Sequence, residues 1–170
     1  MFAQKDFYGF EFNRKNLAVL LFLGVLPNLF AWLVLDAPWG GKFHIFQITI
    51  FLAAALFGWS GGAAAGAFGG VGTAFALGNP YIIIGNALLG GLAGFLNRQK
   101  NVRLLFAVLI AFAVQAPFLY YSDVYLAGMP APVVQSIVAA LFASNLVMAL
   151  AAEAILPSIR KHYGLAGRAE

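Results

Sequence analysis

The stretch from residue 43 to residue 97 contains no lysine, arginine, aspartate or glutamate. Soluble domains carry about 25% charged residues. This chain carries 9% charged and 62% hydrophobic residues, so it has too little polar surface to face water on all sides. A long uncharged stretch suits the hydrocarbon core of a bilayer, which a helix of about 20 apolar residues can cross. The sequence therefore predicts an integral membrane protein.

Turn residues divide the uncharged stretch into three helices. Residues 59–62 (Trp-Ser-Gly-Gly) form the first break and residues 78–80 (Gly-Asn-Pro) the second, because proline cannot continue the preceding helix. Further apolar runs precede and follow the stretch. The predicted fold is an all-α membrane protein, a bundle of six transmembrane helices in one domain of residues 1–170. The predicted spans are about 17–35, 43–58, 60–78, 80–97, 104–121 and 132–156.

The basic residues predict the orientation. If the N-terminus is inside, three spans across the uncharged stretch return Arg98, Lys100 and Arg103 to the cytoplasm, whereas two spans place them outside. With six spans only Lys42, of ten basic residues, lies outside, which is a strong positive-inside bias. We therefore expect a multi-pass protein of the cell (plasma) membrane with both termini cytoplasmic. Because the basic clusters separate apolar runs, nucleic-acid binding is not expected.

Catalytic chemistry is not expected. The chain has no HExxH motif and no paired carboxylates, and we expect no nucleophile elbow. It contains no cysteine, and its two histidines, His44 and His162, fall on opposite sides of the membrane in this topology. No catalytic residue, metal site or cofactor is therefore expected. Glu153, the only acidic residue within a span, marks either an ion pathway or a pair at the cytoplasmic interface, and we favour the pair.

Glycines recur every four residues around the first break. Small residues at this spacing let membrane helices approach closely. One interpretation is a tight contact within the chain, and the other is a docking surface for a partner membrane subunit. The residues of this glycine stripe are Gly58, Gly62, Gly66 and Gly70.

Five spans each place one amide side chain in the outer half of the membrane. A buried amide without partners costs several kcal/mol, so these side chains are expected to face inward and to bond each other, water or a ligand. A channel needs polar lining along its whole length, and the inner half has far fewer polar residues. We therefore expect a blind pocket open to the outside. The five amides are those of Asn28, Gln47, Asn86, Gln115 and Gln135.

Two segments carry a family resemblance. Residues 56–70 read LFGWSGGAAAGAFGG and residues 79–94 read NPYIIIGNALLGGLAG. They resemble the glycine-rich second-to-third helix turn and the fourth helix of the S components of energy-coupling factor (ECF) vitamin transporters. The resemblance implies a high-affinity substrate-binding subunit for a vitamin-like small molecule, which acts with an ECF transmembrane coupling subunit and ATPases. The alternative is a ligand-sensing or scaffold membrane module that acts with a signalling or assembly partner.

In that family the ligand lies under the first outer loop and contacts helices four to six. Aromatic side chains near the mouth form either an interfacial belt or a stacking lid over a planar ligand. Many members carry Ala-x-x-x-Ala on helix one for coupling, whereas this chain reads Ala-Val-Leu-Leu-Phe at residues 18–22, so coupling would use Gly24 or the glycine stripe. The expected substrate-binding residues are Trp39, Gln47, Tyr81, Asn86, Gln115, Tyr121 and Gln135.

Overall fold

The computed structural model describes residues 14–30, 34–36 and 42–163, which are predominantly helical. Two short strands pair antiparallel ahead of the second helix. They overlap the end of the first predicted span (17–35) and the start of the second (43–58), where helix was expected. Helix α3 (Tyr81–Gly94) continues into a π-helical turn at Phe95–Gln99. Helix α4 (Leu104–Tyr121) continues into another at Ser122–Leu126. The elements are α1 (Arg14–Phe30), β1 (Val34–Asp36), β2 (Lys42–His44), α2 (Gln47–Leu77), α3 (Tyr81–Gly94), α4 (Leu104–Tyr121) and α5 (Ala131–Tyr163).

Helix α2 folds back on itself at Gly58. This residue has φ 70° and ψ −155°, a conformation that essentially only glycine adopts. Ile50 Cδ1 lies 3.8 Å from the position that a Cβ would take on Gly69. In a straight helix these two residues would be about 28 Å apart, at 1.5 Å rise per residue. Gly58 therefore separates two antiparallel limbs, residues 47–57 and 59–77.

The two turns around α2 lie where the sequence predicts breaks. Gly58 directly precedes the break expected at residues 59–62. The helix ends at Gly78, whose φ of 62° is left-handed and whose N–H bonds the carbonyl oxygens of Ala74 and Phe75, a common way for a helix to end on glycine. Pro80 then prevents its continuation.

Three helices in the described residues are long and apolar enough to cross a bilayer. They are Gln47–Leu77, Leu104–Leu126 and Ala131–His162. The first of them comprises both limbs of α2. Its first limb lies at the centre of the core, since all residues from 49 to 58 are buried. A helix that is apolar on every face is expected in such a position.

The second limb of α2 packs against α3 through its backbone. A Cβ on Gly62 would overlap the carbonyl oxygen of Gly90, and a Cβ on Gly66 would overlap that of Asn86. Only glycine allows this approach, which is the packing expected of small residues in membrane helices. The glycine stripe therefore forms a contact within the chain, and Gly70 continues it, with its Cβ position 3.2 Å from Cα of Ile83. The surface that the docking interpretation requires is covered by α3.

Contacts among turns define one end of the bundle, which we call the Arg103 end. The Cβ position of Gly58 lies 3.6 Å from Cβ of Arg98. Arg160, near the end of α5, donates a 3.2 Å hydrogen bond to the carbonyl oxygen of Ala55. Residues 98–103 link α3 to α4 at the same end, where Arg103 meets α5.

The opposite end of the bundle, which we call the Asn79 end, contains the turn at residues 78–80 and the π-helical turn after α4. Asn79 donates a 2.7 Å hydrogen bond to Asp123, which joins these two turns. The N–H of His44 donates to Ser144 Oγ at 3.1 Å, so β2 is held against α5.

Candidate functional site

A cavity of about 430 Å³ lies at the Asn79 end. Small-molecule pockets typically measure about 300–1,000 Å³ and combine an apolar lining with a few polar groups. Apolar side chains from α3, α4 and α5, among them Ile82, Phe118 and Leu141, supply most of this lining. The polar residues that line the cavity are His44, Thr73, Asn79, Tyr81, Asn86, Gln115, Ser122, Asp123 and Ser136.

Two amides in the cavity wall have polar atoms without hydrogen-bond partners. Asn86 on α3 is 7% exposed and Gln115 on α4 is 3% exposed. Asn86 Nδ2 and Gln115 Oε1 are enclosed, and no described group bonds either of them. Such an atom costs about 1–3 kcal/mol, and most buried polar groups in proteins are paired. The two side chains thus bring amide groups with unmet hydrogen-bonding capacity to the cavity wall.

The helix register explains how these amides come to face one space. Gly85 precedes Asn86 on α3, and its Cβ position lies 3.4 Å from Gln115 Nε2. A side chain at Gly85 would therefore be in ordinary contact with the Gln115 amide. On the other side, the Cβ position of Gly70 lies 3.1 Å from Asn86 Nδ2. Gly70 on α2 therefore leaves the space that the Asn86 amide occupies.

A buried polar cluster forms another part of the cavity wall. Asn79 Nδ2 donates to Asp123 Oδ1 at 2.7 Å, and Ser122 Oγ lies 3.4 Å from the same oxygen. Asn79 Oδ1 accepts a 3.1 Å hydrogen bond from the N–H of Tyr81. Asn79 therefore connects the first turn of α3 to the end of α4. No described group bonds the second carboxylate oxygen of Asp123, Oδ2.

Three of the predicted substrate-binding residues line the cavity, namely Tyr81, Asn86 and Gln115. Gln47 is 1% exposed and its Oε1 has no partner among the described residues, but it is outside the cavity lining. Asn145 on α5 is likewise fully buried outside the lining, with neither amide atom bonded by a described group.

The remaining predicted residues lie elsewhere. Tyr121 is 56% exposed and packs against Tyr125 with ring centroids 5.4 Å apart, outside the cavity lining. Gln135 is exposed and also outside the lining. Trp39 lies outside the described residues.

Asn28, the fifth amide of the predicted layer, has a structural role. Its Nδ2 donates to the carbonyl oxygen of Phe68 at 2.9 Å, and its Oδ1 accepts from the N–H of Gly72 at 2.7 Å. In a regular α-helix the N–H of Gly72 would bond the carbonyl oxygen of Phe68 directly. The Asn28 amide lies between these two groups and bonds both of them. Asn28 therefore fastens α1 to α2.

The Arg103 end contains a charge cluster of a different kind. Glu153 accepts hydrogen bonds from Arg103 Nε and Nη2 and, at 2.9 Å, from the N–H of Leu105. The last of these satisfies an N–H of the first turn of α4, which has no partner within its own helix. The hydrogen bond to Glu153 raises the pKa of Arg103, so this residue remains charged. The pairing matches the interfacial role favoured for Glu153.

Residues 58–62 read Gly-Trp-Ser-Gly-Gly and so match the letters of the GxSxG motif. The prediction that the chain has no nucleophile elbow left this match out. That motif performs catalysis at a sharp turn between a strand and a helix. Here Ser60 lies just after the turn between two helical limbs of α2, so the context of a nucleophile elbow is missing.

The described residues contain no group of three or more metal-binding side chains. Comparison of the sequence with protein-family models and with curated proteins gives no match. The resemblance to S components accordingly rests on the pattern and order of the residues, and the cavity at the Asn79 end is the chemical feature to be explained.

Proposed function

We propose that this chain is the membrane-embedded substrate-binding subunit of an importer of the ECF type. The observation that carries the proposal is the cavity, in which Asn86 Nδ2 and Gln115 Oε1 are buried without partners. A ligand that bonds these two amides would offset part of their desolvation cost. Gln47 and Asn145 also bury amide atoms without partners among the described residues, but Asn86 and Gln115 differ from them in lining a cavity that can hold a ligand, and this difference favours binding.

In the proposed topology the chain crosses the bilayer six times. Because the two limbs of α2 are antiparallel, we count each of them as one crossing. Neighbouring helices in the chain then alternate in direction, with Gly58 and residues 98–103 at one end of the bundle and residues 78–80 at the other. This arrangement supports the expected spans, with both termini in the cytoplasm.

The Arg103 end is proposed to face the cytoplasm. Five basic side chains, those of Arg98, Lys100, Arg103, Arg160 and Lys161, lie in or beside the turns at this end. Basic residues are retained on the cytoplasmic side of membrane proteins. The cavity at the Asn79 end would then open toward the outside, where an importer captures its substrate.

The proposed partners are an ECF transmembrane coupling subunit and its ATPases. Of the two coupling routes considered from the sequence, the glycine stripe is covered by α3, and Gly24 is buried with its Cβ position 3.4 Å from Cβ of Phe68. The exposed side chains of α1, such as Leu21 and Val25, are therefore the proposed coupling surface.

Identification of bound compounds tests the function directly. Mass spectrometry of the protein purified in mild detergent should detect a co-purifying small molecule, and this compound should raise the unfolding temperature of the emptied protein. Asn86→Leu and Gln115→Leu should each weaken its binding at least about tenfold, since each removes a hydrogen bond between the ligand and a buried amide.

Gln135→Leu is the matched control. It removes an amide of the same depth that lies outside the cavity lining, so its affinity should equal that of the unmodified protein. The proposal fails if no vitamin-like compound is retained by the protein or stabilises it. It also fails if Gln135→Leu weakens binding as much as the two cavity variants.

A further inference from the structure

Asp123 is the residue of the cavity that most restricts the charge of its ligand. It is 5% exposed and belongs to the cavity lining. Among the described residues the ion pair is that of Arg103 with Glu153, at the opposite end of the bundle. No described cation pairs with Asp123.

The hydrogen bonds of Asp123 leave its charge uncompensated. The donors from Asn79 and Ser122 are neutral, and both approach Oδ1. They fix the orientation of the carboxylate and leave Oδ2 without a bond from any described group. Burial of a carboxylate is costly unless it is paired with a cation as well as hydrogen-bonded. Ionisable groups in membrane-embedded sites often mark the counter-ion of a ligand.

We propose that the cavity selects a ligand with a positively charged group, such as a protonated amine or a cationic heterocycle. This inference rests on the proposed function and names the substrate class. The cationic group lies beside Asp123 Oδ2, and the apolar body of the ligand packs among side chains such as Ile82 and Phe118. The amides of Asn86 and Gln115 hydrogen-bond polar groups of the ligand.

The inference changes what is expected of the ligand. The amides and aromatic residues alone favour a neutral or weakly charged heterocycle. The buried carboxylate adds a preference that amides do not have, because an anionic ligand would place two like charges close together in a largely apolar cavity. Such a repulsion costs far more in the protein interior than in water.

A series of ring compounds that differ in charge tests the inference. The probes are 1-methylnicotinamide (cationic), nicotinamide (neutral) and nicotinate (anionic), with pyridoxamine, pyridoxine and 4-pyridoxate as a larger set and thiamine as a larger cation. Stabilisation and affinity are measured on the emptied full-length protein in nanodiscs. Cationic members should bind most tightly and anionic members least tightly in each set.

The variant Asp123→Asn removes the charge but keeps an oxygen that can accept from Asn79. It should weaken binding of the cationic probes roughly 30-fold or more, the effect of losing one partner of a buried charge pair. Binding of the neutral probes should change less than about threefold. Asp123→Glu keeps the charge and should retain the preference for cations. Glu153→Gln removes a carboxylate at the other end and should leave the order of affinities unchanged.

The outcomes separate this inference from the proposed function. If neutral or anionic probes bind better than their cationic counterparts, the charge preference is wrong and the binding function stands. If Asp123→Asn weakens the cationic and neutral probes equally, Asp123 has a structural role and the inference is wrong. If no probe binds and no small molecule co-purifies, the proposed function fails and the inference with it. The order of affinities in the unmodified protein decides the matter even if Asp123→Asn does not fold.

Discussion

The two ends of the bundle treat their buried polar groups differently. At the Arg103 end, Glu153 accepts three hydrogen bonds, and Asn97 Nδ2 donates to the carbonyl oxygen of Val102 at 2.9 Å. At the Asn79 end, Asn86 and Gln115 each bury a polar atom that no described group bonds. Both ends bond an amide within the chain, but the amides of Asn86 and Gln115 beside the cavity each keep an enclosed atom that no described group bonds.

This difference indicates that the Arg103 end stabilises the fold and that the Asn79 end contains the cavity. Paired groups at the Arg103 end close the turn at residues 98–103 and hold α4 against α5. Close backbone packing of α2 against α3 extends from Gly62, which meets Gly90, to Gly66, which meets Asn86 beside the cavity. The Asn79 end leaves a cavity and unpaired amides, which a stability role alone does not explain. A binding site commonly shows such a local loss of stability, which is offset elsewhere in the fold.

The largest effect is expected from a test of which end faces which side. The chain has no cysteine, so single cysteines can be introduced at exposed positions of both ends. In intact cells, a membrane-impermeant maleimide should label Tyr125→Cys fully and Lys100→Cys only after permeabilisation.

Both variants should react equally in detergent, which controls for accessibility. Labelling of Lys100→Cys in intact cells would place the Arg103 end outside. The outward-facing cavity would then be wrong, and with a cytoplasmic N-terminus the count of six crossings would be wrong as well.

The next largest effect is expected at the glycine contact that adjoins the cavity. In Gly66→Ala the new Cβ would overlap the carbonyl oxygen of Asn86. A backbone atom cannot move aside, so α2 and α3 must separate. We expect a loss of about 3 kcal/mol in the free energy of unfolding, at the upper end of overpacking effects, measured by denaturation in mixed micelles.

The matched control is Gly24→Ala. Its Cβ position is 3.4 Å from Cβ of Phe68, an ordinary contact, and alanine is the better helix former by up to about 1 kcal/mol. This variant should be neutral or slightly stabilising. Equal tolerance of both substitutions would mean that the close approach of α2 to α3 is absent.

Residue chemistry along the chain predicts the turns well but not which way side chains face. Gly58 and Pro80 have local conformational requirements, so the sequence alone places the breaks beside them. Depth in the membrane also follows from the rise per residue. The direction in which a side chain points around the helix axis cannot be predicted in this way. Each residue adds about 100° of rotation, so small errors in where a helix starts or bends change the predicted direction. Gln135 accordingly lies on an exposed face of α5 and outside the cavity lining, although the depth predicted for it from the sequence is similar to that of Gln115.

Sequence reasoning missed Asp123 for a different physical reason. The predicted fifth span ends at residue 121, which leaves Asp123 in an outer loop. The structure continues the helix through the π-helical turn Ser122–Leu126, and Asp123 is buried. Turns of this type are rare and often occur at functional sites. A single acidic residue directly after an apolar run, near an asparagine in the facing turn, was the available clue.

The smallest effect is expected from two equivalent substitutions in the ligand-free protein, one at each end of the bundle. They should change the free energy of unfolding in opposite directions, which tests the comparison between the two ends most directly. Asn97→Leu removes a side chain whose amide is bonded, so it should lower the free energy of unfolding by about 1 kcal/mol. Asn86→Leu removes an enclosed donor without a partner, so it should raise the free energy of unfolding by about 1 kcal/mol. Denaturation of the emptied variants, side by side, measures both.

Addition of the ligand should reverse the order for the cavity variant. A ligand that binds only the folded state stabilises it in proportion to occupancy, so the unmodified protein gains stability and Asn86→Leu gains little. Asn97→Leu lies far from the cavity and should gain as much as the unmodified protein. If both variants lose stability without ligand and both respond to it, Asn86 is a structural residue like Asn97. The contrast between the two ends would then be one of packing alone, because the energetic reason for a ligand near Asn86 depends on that amide being unsatisfied.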